Sequence, residues 1–329
     1  RLKLILISAL FITFFFPSGA MTVNSARNTD GSQVKQNNLN PSLSSNEFIY
    51  SLNGKNYIAE YITEETVKDM KKEFQSIKNQ KISNLIIDGH GTGYAPKSRE
   101  EFDSLVGKIA IKESLSDELK ESTFGATADL SEDIYFPVVG NQGLQGSCAA
   151  WATTYYAYGY LEAKDNGWDA SSGNPEYLLS PSWTYNKFTP YDYGSTLSGI
   201  GDLMLDWGVS TLANMPYDDT TVEPWGNETA WREAPYHRPD GYSLISYSGQ
   251  SSIDSIKSLL DGGTPVSFAI DADQFSNGLN GTSNDYTLTS EEYDDTGNLN
   301  HAQCFVGYND SISQGGETGA FKVVNSWGS

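Results

Sequence analysis

One thiol and one imidazole in this sequence are placed to act as a nucleophile and a proton carrier. Cys148 lies in Gly140-Asn141-Gln142-Gly143-Leu144-Gln145-Gly146-Ser147-Cys148-Ala149-Ala150-Trp151-Ala152, a polar, glycine-rich loop that runs into small and aromatic residues. Ser147 can cap a helix there, and Asn166-Gly167 can stop it. A thiol in the first turn faces free N–H groups and the positive end of the helix dipole, which favour the reactive thiolate. The alanines allow close packing, so a buried helix and a rigidly held thiol are expected. A thiolate also needs a general acid–base, and the histidines are His90, His237 and His301. His237, in Ala234-Pro235-Tyr236-His237-Arg238-Pro239, reads as part of an exposed loop without a catalytic role. His90 sits among Gly89, Gly91 and Gly93, which make a turn the comfortable backbone, so it reads as a loop residue. His301 opens His301-Ala302-Gln303-Cys304-Phe305-Val306-Gly307-Tyr308, a buried strand whose mouth can face a cleft. Phe321 to Gly328 gives a second strand ending at Asn325, whose amide can orient the imidazole.

The elements that must position these groups follow from texture. Residues 1–20 carry Arg1 and Lys3, an apolar run from Leu4 to Phe16, then Pro17 and small residues ending at Ala20. That is the pattern of a secretory leader cleaved after Ala20, and the apolar run is too short to span a bilayer. The sequence starts at Arg1, so residues that precede it in the natural chain are expected. Residues 21–46, rich in Asn, Ser and Gln, read as a flexible linker. Phe48–Leu52 and Lys55–Ile62 flank Asn53-Gly54, a hairpin turn pair. Thr63 can cap a helix with Val67, Met70, Phe74 and Ile77 on one face, a short strand surrounds Leu85-Ile86-Ile87, and Phe102, Leu105, Val106 and Ile109 read as another short helix. Residues 47–128 thus form a small α/β unit ahead of a main domain at 129–329. In that domain Asp254–Ile270 reads as a helix, turn and strand.

The ordered set Asn-Gln-Gly, Gly-Ser-Cys, His-Ala and Asn-Ser-Trp-Gly resembles the papain family of cysteine peptidases over residues 129–329. Separations of 153 residues from Cys148 to His301 and 177 to Asn325 are slightly longer than the family's usual ~130–150, as insertions would make them. The resemblance implies an α+β fold of two subdomains, a helical one packed on an antiparallel β-barrel-like one, with the small α/β unit as a pro-region. It implies Cys148 as nucleophile, His301 as acid–base, Asn325 as its orienter, Gln142 sharing an oxyanion hole with the Cys148 N–H, and Trp327 shielding the Asn325–His301 bond. Leu299 and Ala302 would line the main specificity pocket and favour an apolar substrate residue. Gly194-Ser195 would form the backbone wall that pairs with extended substrate. Two departures stand out: Ala149-Ala150 replaces the aromatic after the nucleophile, and Leu144-Gln145 stands where a second cysteine often lies. The resemblance also implies a further Trp-Gly and a closing strand beyond Ser329.

Composition limits the rest. The chain has 329 residues, 21 basic and 42 acidic side chains and a net charge of −21, of which −20 falls within residues 131–329. No basic surface is available for nucleic acid, and the acidity should attract cationic peptides. Cys304 reads as a small buried apolar residue. Glu291-Glu292-Tyr293-Asp294-Asp295 lacks the alternating ligands of a calcium loop and reads as a solvated acidic loop, so neither metal nor cofactor is expected. Asn227, Asn280 and Asn309 match the glycosylation pattern. The expected protein is a secreted or extracellular, monomeric cysteine endopeptidase acting on peptides or proteins, free of the membrane once its leader is removed. Two alternatives stand beside it: a non-catalytic peptide-binding or cell-surface module, and an acyltransferase using the same triad.

Overall fold

A computed structural model describes residues 11–16, 22–23, 43–77, 86–87, 89–95, 99–115, 125–246, 249–274, 288–289 and 299–328. In chain order the strands and helices are β1 (Phe11–Phe16), β2 (Thr22–Val23), β3 (Glu47–Leu52), β4 (Lys55–Tyr61), α1 (Glu64–Ile77), β5 (Ile86–Ile87), β6 (His90–Gly91), α2 (Arg99–Ser104), β7 (Ile109–Leu115) and β8 (Thr127–Asp129). A continuous helical rod follows: α3 (Cys148–Ala150), a π-helical stretch (Trp151–Tyr158) and α4 (Gly159–Asn166). Then come α5 (Pro181–Phe188), α6 (Leu197–Trp207), α7 (Glu228–Glu233), β9 (Gly241–Ser246), α8 (Gln250–Asp261), β10 (Val266–Ile270), β11 (His301–Gln314) and β12 (Glu317–Val324).

Local chemistry explains most of these boundaries. Asn53 and Gly54 take φ of 50° and 75°, the left-handed pair that a two-residue hairpin turn demands, and they join β3 to β4 in register. The Thr63 hydroxyl accepts from the Thr66 N–H at 3.1 Å and caps α1. Ser180, Thr196 and Asn227 cap α5, α6 and α7 in the same way. Gly167 ends the rod at φ 67°. The helix expected through Ile109 stops at Ser104. Gly107 turns the chain at φ 82°, and Ile109 starts β7, because Ile109, Ala110 and Ile111 serve both faces of a sheet.

The sheet is an open path, β12-β11-β10-β1-β9-β7-β4-β3-β2, with β8 on the far side of β11. The sheet does not close into a barrel, and with helices packed on it the molecule has the expected α+β class. The hairpin of the N-terminal unit belongs to this same sheet, since β7 pairs antiparallel with β4 and parallel with β9. Phe11–Phe16, inside the expected leader, lie between β9 and β10 in the full chain. Adjacent strand residues face opposite layers. Ala110, Leu244, Cys304 and Val306 pack toward the helical rod, while Ile111, Ile245 and Phe305 pack with Ile256, Leu259 and Leu260 of α8. The rod is buried on every side from Cys148 to Ala163, with the sheet against it and α5 and α6 packed beside it. The expected calcium-free acidic loop at 291–295 and the glycosylation site at Asn280 lie outside the described residues.

If this layering holds the fold, truncating the fully buried Ile200 of α6 to alanine should cost about 2–5 kcal/mol of unfolding free energy. Truncating Tyr236, which is 85% exposed, should stay within about 0.5 kcal/mol. Chemical denaturation of both variants checks this.

Candidate active site

Packing of α3 on β11 brings the expected residues together. His301, the first residue of β11, is fully buried, and its Nε2 lies 2.8 Å from Asn325 Oδ1. Asn325 Oδ1 also accepts from the Ser326 N–H at 2.7 Å. An oxygen that accepts twice requires the imidazole to donate from Nε2, which leaves Nδ1 as the basic nitrogen. Nδ1 is buried without a hydrogen-bond partner. The Cys148 thiol, also fully buried, lies against the backbone N–H of the next residue, Ala302. Trp327 packs on the other side of His301, with ring centroids 4.7 Å apart.

Gln142 is held on both ends of its amide. Its Nε2 donates to the Gln145 carbonyl at 2.9 Å, and its Oε1 accepts from the Ser326 hydroxyl at 2.6 Å. The loop that carries it is stitched to the Asn325 segment: the Gln142 N–H donates to Ser326 O at 2.7 Å and Gly328 N–H to Gly140 O at 3.0 Å. Tyr156, from the π-helical stretch, completes the stitch. Its hydroxyl accepts from Gly140 N–H at 2.9 Å and donates to Asn325 O at 3.0 Å. Neither Ser326 nor Tyr156 carries a signal that singles it out in the sequence beyond membership of the motifs around it.

Several expectations need correction. Ser147 does not cap α3 with its side chain; its hydroxyl meets the Tyr217 hydroxyl at 2.6 Å instead. His237 is not exposed: it is half-buried, with Nδ1 2.8 Å from Glu162 Oε1 at the α4 turn and its ring edge-on to Trp168. The Cys148 thiol is not shifted toward thiolate. Burial pushes it up to about 12 although neighbouring N–H groups pull the other way, and burial likewise holds the His301 imidazole down at about 4.

That burial has a visible source. Residues 91–95 lie across the site as an extended segment. Gly91 N–H donates to Gly143 O, Gly93 and Tyr94 N–H to Asn300 O, and Ala95 N–H to Ser195 O, while Ser195 N–H donates to Gly93 O, all at 2.8–2.9 Å. Tyr94 pairs with Ser195 in parallel sense. The Trp327 indole donates to Gly91 O at 3.0 Å, and His90 stacks on the same indole at 5.0 Å. His90 is therefore a neighbour of the site and not a plain loop residue. Glycine is required here by contact: a Cβ on Gly91 would sit 2.4 Å from Gln145 O, and on Gly93 2.3 Å from Gly146 O. The glycine density of residues 89–93 was the only trace of this in the sequence. Gly194, at φ 87°, and Ser195 meet this segment, and Ala302 is buried beside Cys148, while Leu299 is partly buried and packs with the sheet residues. Cys304 is a buried free thiol beneath Val324 in the sheet, as expected of a packing residue. Among the described residues no acidic, His or Cys group could hold a metal ion.

A search of curated proteins finds no match. Among solved structures, xylellain, a cysteine protease from Xylella fastidiosa, superposes with a TM-score of 0.50 at 20% identity, over 73% of this chain and 85% of that one. Procathepsin L 3 of the Tenebrio molitor larval midgut gives 0.47 at 21% identity, over 64% of this chain and 62% of its own. The family model described as papain family cysteine protease matches residues 125–329, which hold Gln142, Cys148, His301 and Asn325. The chain belongs to the papain family of cysteine proteases.

Proposed function

We propose that this chain is the precursor of a secreted cysteine endopeptidase that works through Cys148, His301 and Asn325, and that residues 91–95 hold it latent. The observation that carries the reading is the His301 ring, fixed by Asn325 at Nε2 and left basic and unpartnered at Nδ1 beside the Cys148 turn. Once the site is wetted, His301 Nδ1 takes the Cys148 proton and the thiolate attacks the scissile carbonyl. The oxyanion is met by the Cys148 N–H and the free amide hydrogen of Gln142. His301 then returns the proton to the leaving amine, which leaves an acyl-thioester. A water deprotonated by the same nitrogen attacks it and releases the acid and the thiol. Extended substrate would take the hydrogen bonds that Ser195 and Asn300 now make to residues 93–95, with Gly194 beside that wall and Leu299 and Ala302 toward an apolar side chain. Trp327 would keep water from the Asn325–His301 bond.

Latency follows from the same contacts. With residues 91–95 in place, a substrate backbone cannot reach Ser195 or Asn300, and both reacting groups stay neutral at neutral pH. A His301 that binds its proton only near 4 when covered, against an ordinary 6.5 when wet, favours the uncovered state as pH falls through that window. Acid therefore opens the site. The net −20 of residues 131–329 would draw cationic peptides to it, an attraction that salt weakens.

Two tests separate the chemistry from the latency. In the activated protein, Cys148→Ala and His301→Ala should each abolish nearly all peptide hydrolysis, Gln142→Ala should cost about 10²–10³-fold, and Cys304→Ala should keep most of it; normal hydrolysis by Cys148→Ala would overturn the mechanism. In the full chain, Gly93→Val cannot seat against Gly146 O. It should label at Cys148 with a thiol-directed epoxide at neutral pH, whereas the unaltered chain should label only as pH falls from about 6.5 toward about 4. Equal labelling of the two at neutral pH would remove the latency.

A further inference from the structure

Neither cysteine is crosslinked, so packing and hydrogen bonds fix the loop that presents Cys148. Its bonds run to the 325–328 segment, to residues 217–221, to Gly91 and to Tyr156, and one more reaches Asp192. Asp192 Oδ1 accepts from the Gly146 N–H at 2.8 Å, two residues before Cys148, and from the Tyr185 hydroxyl at 2.5 Å. Tyr185 stands fully buried on α5, and its oxygen accepts in turn from the Gly194 N–H at 3.1 Å. A single carboxylate oxygen therefore ties the Cys148 loop, the rigid helix α5 and the Gly194-Ser195 wall to one point. The fit is close: a Cβ on Gly146 would meet Asp192 Oδ1 at 3.1 Å and Tyr185 Oη at 3.2 Å.

We infer that Asp192 is a positioning residue of the reaction, which holds the Cys148 turn and the substrate wall in mutual register through Gly146 and Tyr185. This rests on the proposed peptidase mechanism and adds a residue to it. Charge-assisted hydrogen bonds of this kind are roughly twice as strong as neutral ones, which suits a tie that has to stay fixed while a substrate presses on both of the loops it joins. The tie carries an electrostatic cost. The Asp192 charge disfavours a thiolate at Cys148, in the same sense as burial does; the phenols Tyr94 and Tyr185 also interact with Cys148, and Tyr217 interacts with both Asp192 and Asp219. Position and charge therefore act in opposite directions, and two substitutions separate them.

Asp192→Asn keeps an oxygen that can accept from Gly146 and Tyr185 and removes the charge; Asp192→Ala removes both. In the activated protein, where Cys148 is uncovered, the rate of iodoacetamide alkylation at Cys148, located by mass spectrometry, is followed against pH, and peptide hydrolysis is measured in the same preparation. Asp192→Asn should shift the alkylation midpoint to lower pH and hold kcat within about threefold of the unaltered protein. Asp192→Ala should lose kcat by roughly 10–100-fold, the range expected when a reacting group is displaced by a fraction of an ångström to one ångström. An unchanged midpoint in Asp192→Asn, or an Asp192→Ala variant with full kcat, overturns the inference. So does an Asn variant as impaired as the Ala variant. If Asp192→Ala does not fold, the Asn midpoint and kcat still decide. The alkylation arm needs no turnover, so a protein that alkylates as expected yet cleaves no peptide would count against the peptidase reading and not against the role of Asp192.

Discussion

The structure depends on one constraint: a helical rod with no polar face has to be buried all round. From Cys148 to Ala163 the rod presents alanine, tyrosine, tryptophan and threonine on every side, and every residue is buried. Such a helix cannot lie on a surface. The sheet must cover one side and α5 and α6 another, and this fixes the first turn of α3 against the start of β11. The proximity of Cys148 to the His301 turn is thus a consequence of apolar burial, with the polar stitching by Tyr156, Gln142 and Ser326 setting the final geometry.

Burial and chemistry pull against each other at that turn. The dryness that fixes the thiol and imidazole also suppresses the charges they need, and the first turn of a helix cannot offset the loss of water around a covered thiol. Residues 91–95 cover the site through backbone bonds, with glycines required by contact. The same segment would give way to substrate, because the groups it occupies, Ser195 and Asn300, are those an extended peptide would use.

The sequence reading succeeded where one residue type decides a backbone geometry or where several motifs recur in order. Asn53-Gly54 dictates its turn, the capping Thr63 its helix, and the cysteine, histidine and asparagine motifs their strands and helix. It failed where position depends on residues far along the chain. Phe102 and Leu105 fit a helix, but Gly107 and the double-faced Ile109–Ile111 run made the rest a strand. His237 looked exposed because Glu162, 75 residues earlier, is not visible as its partner. The helix dipole favours a thiolate at an open helix end, but at Cys148 it is overridden by residues 91–95, which local pattern reads only as a glycine-rich turn. Likewise Asp192 and Gly146 meet across 46 residues, with nothing in either stretch to announce it.

The proposed latency requires the site to be assembled in the full chain and closed by residues 91–95. Hydrogen exchange of the Gly91, Gly93, Tyr94, Ala95 and Ser195 amides, corrected for intrinsic rates and followed with epoxide labelling of Cys148 in the same samples across pH, tests it most directly. These amides should be protected at neutral pH and lose protection together, in step with labelling, as the solution is acidified. Labelling of Cys148 at neutral pH while those amides stay protected would contradict it.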